Sequence, residues 1–415
     1  MVKPKTSCWS WHRLGNFRAG GLVFMLLVAL CPGRIIRAAD LLLSSSPSSN
    51  AVTAALEYQE TDYSVVNWGV SLTMQAAPFT NEPAATGKIF RGVMNIGGNA
   101  SNAIPFVWQR DAGKLLLDFD HRRNFTSNSV SVFSTRDAKS SYQTFTGVHL
   151  PLHTAAGQCQ VLADVEIYSY GSQPNCTLSV RSFWQGRVTL SGRDWQVGLI
   201  PNGVNAGDSF ENGQLLLRPW EKRNQSFNAY DGSSTAVPFS RKLFVAGQAY
   251  QLAPVTRPQN GGFRLALQFT EQSVPLGELK ITGKFIQRLV LPGGPYLVIL
   301  DQPAAVVKIP AGSYSGHPGV QLEQNGITAF NKSSPFPAGR PFSVNDRTPA
   351  ILNVGGPLTN SISASRHGQD LRMAYQLVGA GGEAYQLANQ DRSRPPEFAV
   401  FKGDKKIASG KFEFG

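Results

Sequence analysis

The chain has 415 residues, 42% hydrophobic and 16% charged, apolar enough to build packed cores and so not a wholly disordered chain. Its 41 glycines and 26 prolines follow no Gly-X-Y period, which excludes a collagen-like rod and leaves them as punctuation between many short elements. The formal charge is +12, but Lys3, Lys5, Arg13, Arg18, Arg34 and Arg37 precede residue 40 with no acidic residue among them, so half of the excess belongs to the N-terminus.

Those first residues read as an address. A basic segment leads into an apolar run over 19–30, closed by Pro32, Gly33 and Arg34, which is the pattern of a secretory signal peptide spanning 1–39. The run falls short of the ~20 residues that an uninterrupted bilayer helix needs. Ala38-Ala39 offers small residues for cleavage before Asp40. Val28-Ala29-Leu30-Cys31 offers a second reading, a lipobox, against which the bulk of Leu30 counts. The expectation is an exported protein, secreted or held in the periplasm or cell envelope, with no transmembrane span in the mature chain. Cys159 and Cys176 are the two cysteines outside this leader. They flank one apparent hairpin and are expected to pair as a disulfide.

Residues 40–56 form a Ser-rich lead-in, and Ala51–Glu60 is the one short helix-compatible stretch. Everything beyond reads as strands: β-branched and aromatic segments at 161–168, 187–190, 263–269, 285–291, 296–300 and 398–401. Glycine-, proline- and asparagine-rich turns lie between them. Many short strands without intervening helices predict an all-β protein of tandem antiparallel units or sandwiches. An internal repeat organises the region 57–253. Gly113-Lys114-Leu115-Leu116-Leu117 is matched a hundred positions later by Gly213-Gln214-Leu215-Leu216-Leu217, and Arg122-Arg123-Asn124 by Lys222-Arg223-Asn224. Two related β units are therefore expected, at about 89–128 and 185–228. The turn-rich stretch at 254–262 predicts a boundary, giving a middle β domain over 254–335. The prolines at 335, 337 and 341 predict a linker before a small Ig-like sandwich over 336–415.

Three of these words carry a resemblance: Gly113-Lys114-Leu115-Leu116-Leu117-Asp118-Phe119-Asp120, Leu243-Phe244-Val245-Ala246-Gly247-Gln248-Ala249-Tyr250 and Lys406-Ile407-Ala408-Ser409-Gly410-Lys411-Phe412-Glu413-Phe414. They resemble a group of exported bacterial β-rich proteins of unknown function, built of repeated strand modules, some with an Ig-like tail. The resemblance implies an architecture and a cell-envelope setting and carries no activity.

Chemical signatures are sparse. Asp118 and Asp120 have the D-x-D spacing that opens a calcium loop, but Arg122 and Arg123 stand where an oxygen ligand and a glycine belong, and Arg218 and Trp220 replace both aspartates in the second unit. The two aspartates are thus weak metal candidates, best explained by pairing with Arg122 and Arg123. His149 and His153, four apart on a strand, share a face without an accompanying carboxylate or cysteine. No G-x-S-x-G, H-E-x-x-H or S-x-x-K motif occurs, no catalytic residue can be named and no cofactor is expected. Trp220 beside Lys222 and Arg223, with Arg122 and Arg123 in the matching unit, forms the candidate ligand-binding set, suited to an anionic glycan or another envelope component. Nucleic acid is not expected as a partner, since the chain is read as exported and shows no binding module for it. The reading is a structural or ligand-binding envelope protein. Its competitor is a secreted hydrolase of polysaccharide or peptide, with a site between the N-terminal units.

Overall fold

The computed structural model describes residues 50–412, apart from 127, 129, 172, 202–209, 228–234, 260–261, 332–340, 369 and 389–394. The expected leader at 1–39, the expected cleavage site and the lead-in through residue 49 lie outside the described residues. The protein is all-β: among the described residues there is no α-helix, only short 3-10 turns, and no helix is long and apolar enough to cross a membrane.

The first strand, β1 (Ala51–Glu60), corrects the helix-compatible reading of that stretch. Ala54 and Leu56 are buried and their neighbours are not, which is period two. Strands on both sides take its backbone hydrogen bonds, so tertiary pairing overrides helix propensity. Eight strands follow: β2 (Val66–Met74), β3 (Ile89–Asn95), β4 (Ala103–Gln109), β5 (Lys114–Asp118), β6 (Val130–Ser134), β7 (Tyr142–Thr154), β8 (Gly157–Tyr170) and β9 (Gln173–Val180). They form one antiparallel sheet in the order β6-β5-β4-β3-β2-β9-β8-β7. Its two edges, β6 and β7, run against one another, so the sheet curls into a near-barrel. Phe106, Trp108, Leu115, Leu117, Phe145 and Leu150 fill it. The buried Trp108 indole donates to the equally buried Gln143 Oε1 at 2.7 Å.

Next come β10 (Ser182–Leu190), β11 (Arg193–Ile200), β12 (Gln214–Pro219), β13 (Ala236–Pro238), β14 (Lys242–Val245), β15 (Gln248–Gln259), β16 (Gly262–Gln272), β17 (Leu276–Ile281), β18 (Ile286–Leu291) and β19 (Leu297–Asp301). β10 returns to β1, with Glu57 opposite Gln185 and Glu60 opposite Ser182. The eight-stranded sheet is therefore an insertion between two neighbouring strands of a second sheet, and the region 57–253, with its two expected units, spans parts of both sheets. The second sheet runs β12-β11-β10-β1-β16-β15-β14-β19-β18 around Trp195, Leu217, Tyr250 and Phe269. Its distant members meet again through Arg288 of β18, which pairs with Asp301 at 2.8 Å and donates to the Leu217 carbonyl of β12.

The expected boundary at 254 falls inside β15. Leu252 N–H points to the β14 side, donating to Arg241 O at 2.7 Å, so Pro254 and Pro258, of the same parity, lack their N–H on that side. β14 pairs β15 only as far as Gln251, so the missing donors lie along an open edge, where proline is tolerated within a strand.

The remaining strands are β20 (Val306–Pro310), β21 (Gly312–Tyr314), β22 (Gly319–Gln324), β23 (Ile327–Asn331), β24 (Phe342–Val344), β25 (Ala350–Leu352), β26 (Thr359–His367), β27 (Asp370–Val378), β28 (Ala384–Leu387), β29 (Glu397–Lys402) and β30 (Lys405–Lys411). Pairing crosses the expected boundary at 336: β24 pairs with β21, β25 with β17 and β28 with β23. Val344, Leu352 and Tyr385 bury in the same core as Leu289 and Tyr314. A segment this short has too little apolar surface for a core of its own and shares its neighbour's. Through β28, strands β27 and β26 extend the second sheet to fifteen strands.

The two G-x-L-L-L strands, β5 and β12, are each the third strand of an antiparallel meander. The rung Gly92–Phe106–Leu117 in one occupies the place of Gly186–Val197–Leu217 in the other. At both glycines a Cβ would strike a backbone carbonyl of the neighbouring strand, Thr73 O of β2 for Gly92 and Ala55 O of β1 for Gly186. Gly186→Ala and Gly92→Ala are each expected to lower stability by about 1–3 kcal/mol, the usual penalty of overpacking, read as a drop in the urea midpoint at unchanged slope.

Candidate functional site

The site is built where β5 ends. Along β5, Leu115 and Leu117 enter the first core, while Leu116 faces the other side and packs with Phe79, Val107 and Phe125. Asp118 continues that second face and is fully buried. Its Oδ1 accepts from Asp120 N–H at 3.2 Å and its Oδ2 from Arg123 N–H at 2.7 Å. The carboxylate thereby folds 118–123 into a tight loop in which His121 (φ 58°) and Arg123 (φ 56°) both take the left-handed conformation, unusual for side chains of this size. His121 Nδ1 lies 2.8 Å from Ala103 O on β4. A carbonyl can only accept, so Nδ1 is the donor in this hydrogen bond.

The opposite wall is the end of β7. Asn102, fully buried in the 3-10 turn Ala100–Asn102, clamps the backbone of His153 from both sides. It accepts from His153 N–H at 2.6 Å and donates to His153 O at 3.1 Å. Asn99 donates to the same carbonyl and caps the turn by accepting from Ser101 N–H at 2.9 Å. His153 Nδ1 is buried with no hydrogen-bond partner. Between the walls lies an open cleft of about 480 Å³, lined by Val93, Pro105, Ser101, His121, Arg123 and His153 among others. No carboxylate lines it, and the Arg123 guanidinium has no ion-pair partner among the described residues.

The sequence-derived candidates are distributed differently from expectation. Asp118 is a backbone staple, and neither Arg122 nor Arg123 pairs with it through the guanidinium; Asp120 and Arg122 are exposed. The weak metal reading of Asp118 and Asp120 is thereby corrected, since the Asp118 oxygens are engaged by amides. Among the described residues no group of three His, Cys, Asp or Glu is placed to hold a metal. His149 sits 3.6 Å from Glu60, and His153 is four positions further along the strand, roughly 13 Å away at ~3.3 Å per residue.

Trp220, Lys222 and Arg223 lie after β12, on the other sheet. The Trp220 ring is engaged by the guanidiniums of both Arg187 and Arg223, at 5.1 and 5.0 Å. Arg187 also pairs with Asp194, and Arg193 with Glu221 at 2.7 Å, so the indole belongs to a surface charge lattice. Lys222 is half-buried and Arg223 exposed. At the position matching Asp118 stands the buried Arg218, which holds its own loop with the opposite chemistry, donating to Arg223 O and Gln225 O at 2.6 and 2.7 Å.

Cys159 and Cys176 are free thiols, which corrects the expected disulfide. Cys176 faces Ile167 of β8, eight positions along the strand from Cys159. That is roughly 26 Å at ~3.3 Å per residue, against the ~7 Å limit between Cα atoms of a bridge. Burial pushes both thiols up to about 12.

Sequence reasoning picked out Arg123 and set His153 beside His149, but missed His121 and Ser101 and the grouping of all four, because they come from separated segments; the one local hint is the histidine beside Arg122-Arg123. A second cavity, of about 310 Å³ between Leu322, Ile327, Tyr375 and Leu377, is almost wholly apolar and lacks convergent charged groups. The chain matches no family model, and no curated protein or solved structure is detectably similar to it.

Two expectations follow. Asp118→Ala should cost about 2–4 kcal/mol in urea unfolding, from the loss of two hydrogen bonds to a carboxylate at roughly 1.5–3 kcal/mol each, partly offset by removing a buried charge. Cys159 and Cys176 should resist iodoacetamide at pH 8 in the native protein, because the thiolate is suppressed. Both should label fully in guanidinium without reductant, as peptide mass mapping would record.

Proposed function

We propose that this is an exported, modular β protein of the cell envelope or extracellular space whose inserted near-barrel binds an anionic group. The group would be a carboxylate, sulfate or phosphate carried by an envelope glycan. One observation carries the reading: the cleft gathers an arginine that has no ion-pair partner among the described residues, the imidazoles of His121 and His153 and a serine hydroxyl, with no carboxylate in its lining. An arginine fork is matched to planar oxyanions, and the Asp118 staple fixes the backbone that presents it. The two meanders are read as copies of one unit whose following loops diverged, one stapled by Asp118 and the other by Arg218.

The hydrolase alternative would need an assembled nucleophile and base, or a carboxylate pair. Among the described residues Ser101 Oγ is hydrogen-bonded to neither histidine, and the lining holds no acid, so the geometry favours binding over catalysis.

Titration calorimetry against uronate-bearing, sulfated and neutral oligosaccharides tests the proposal. Anionic oligosaccharides should bind and neutral ones should not, and affinity should fall as salt is raised. Arg123→Gln should weaken binding about 10–100-fold, since a hydrogen bond to a charged partner is worth roughly 1.5–3 kcal/mol. Equal affinity for charged and neutral sugars, or no effect of Arg123→Gln, overturns it.

A further inference from the structure

The fifteen-stranded sheet has two very different ends. One is β13, three residues long and closed by Pro238, a short and blunted edge. The other is β26, nine residues long, hydrogen-bonded to β27 on one side only. On its outer side it makes no backbone hydrogen bond among the described residues. The strand contains no proline, lysine or acidic residue, and its one permanent charge, Arg366, stands near its end, so the central stretch 359–365 lacks the usual devices that keep a free edge from pairing. Among the described residues the β29–β30 hairpin pairs only with itself and makes no backbone pairing with that edge. Phe412, just past it, packs on Tyr375 of β27 with ring centres 5.4 Å apart.

The sequence of β26 is close to a palindrome about Ser363: Ser361-Ile362-Ser363-Ala364-Ser365. Two copies laid antiparallel about a two-fold axis through Ser363 place Ile362 opposite Ala364, Ser361 opposite Ser365 and Asn360 opposite Arg366. Opposed side chains then match in kind, and no like charges face one another. Ile362 is 52% exposed and shares a face with Met373, Tyr375 and the equally exposed Leu371. Across the axis that apolar strip would continue onto the second molecule.

We propose that β26 is a dimerisation edge, pairing antiparallel with β26 of a second copy of this chain about Ser363, so that the two fifteen-stranded sheets become one. The interface is isologous and closes on itself, so it yields a dimer and not a filament. It uses neither the cleft nor any residue assigned to it.

Sedimentation equilibrium of the full chain over a wide concentration range should show the mass doubling. The variant I362K/A364K, which sets lysines opposite one another across the axis, should sediment as a monomer with an unchanged far-ultraviolet spectrum. The register has its own test by oxidative cross-linking against the wild-type chain. Ser363→Cys alone should form a disulfide-linked dimer. Ser361→Cys and Ser365→Cys should each fail alone and cross-link when mixed. A chain that stays monomeric at the highest concentration, or a dimer that survives I362K/A364K without cross-linking at Ser363→Cys, overturns the proposal.

Discussion

The pairing of β1 with β10 is the constraint on which the rest of the molecule depends. Between them the chain leaves one sheet, builds an eight-stranded near-barrel and comes back, and the two ends of that excursion are laced together. Thr61 N–H donates to Arg181 O, and Arg181 Nε donates to Thr61 O, across 120 residues of chain. Arg181 also pairs with Asp164 at 3.2 Å, which ties the return strand to β8. Gly186 lets β10 lie close enough to β1 for this to happen, because its missing side chain is the space that the Ala55 carbonyl occupies. Without that approach the second sheet would lose the pairing between two of its central strands.

A second theme is the use of buried charge as a loop fastener. Asp118 and Arg218 close matching strands, and each is almost wholly removed from water. Burying such groups is costly unless every lone pair or proton finds a partner. Here each carboxylate oxygen accepts from a backbone N–H, and each guanidinium nitrogen donates once, to Gln196 Oε1, the Gln225 carbonyl and the Arg223 carbonyl. The outcome differs in kind. The aspartate bends its loop through two left-handed residues and leaves Arg123 on the wall of a cleft, whereas the arginine holds a 3-10 turn whose Trp220 is covered by two guanidiniums.

How much of this could be read from the chain depends on the range of the interaction concerned. Strand character was legible, because alternation such as Leu115 and Leu117 against Leu116 is local and reports which face is buried. The insertion was not legible. Nothing near Glu57 announces that its partner is Gln185, and the helix-forming composition of 51–60 points the other way. Pro254 and Pro258 read as a break because an edge and a central position look alike in sequence; only the reach of β14 distinguishes them. Cys159 and Cys176 read as partners because both flank the β8–β9 turn, while register, a property of the folded hairpin, sets them far apart. Within the cleft, Arg123 was visible as part of a basic pair. Asp118 was visible for a metal-loop spacing that the structure uses for a different purpose.

The nested order of strands also governs how the chain must acquire its shape. β1 is made first and stays without either neighbour until the whole inserted sheet, then β10 and finally β16 have been produced. Contacts of such long sequence separation carry a large loop-closure cost, and folding slows as they come to dominate. The inserted sheet, whose eight strands contact one another in a single continuous stretch, can collapse first and draw Thr61 and Arg181 together. It then acts as a preformed clasp for a sheet that could not otherwise bring its distant strands into register.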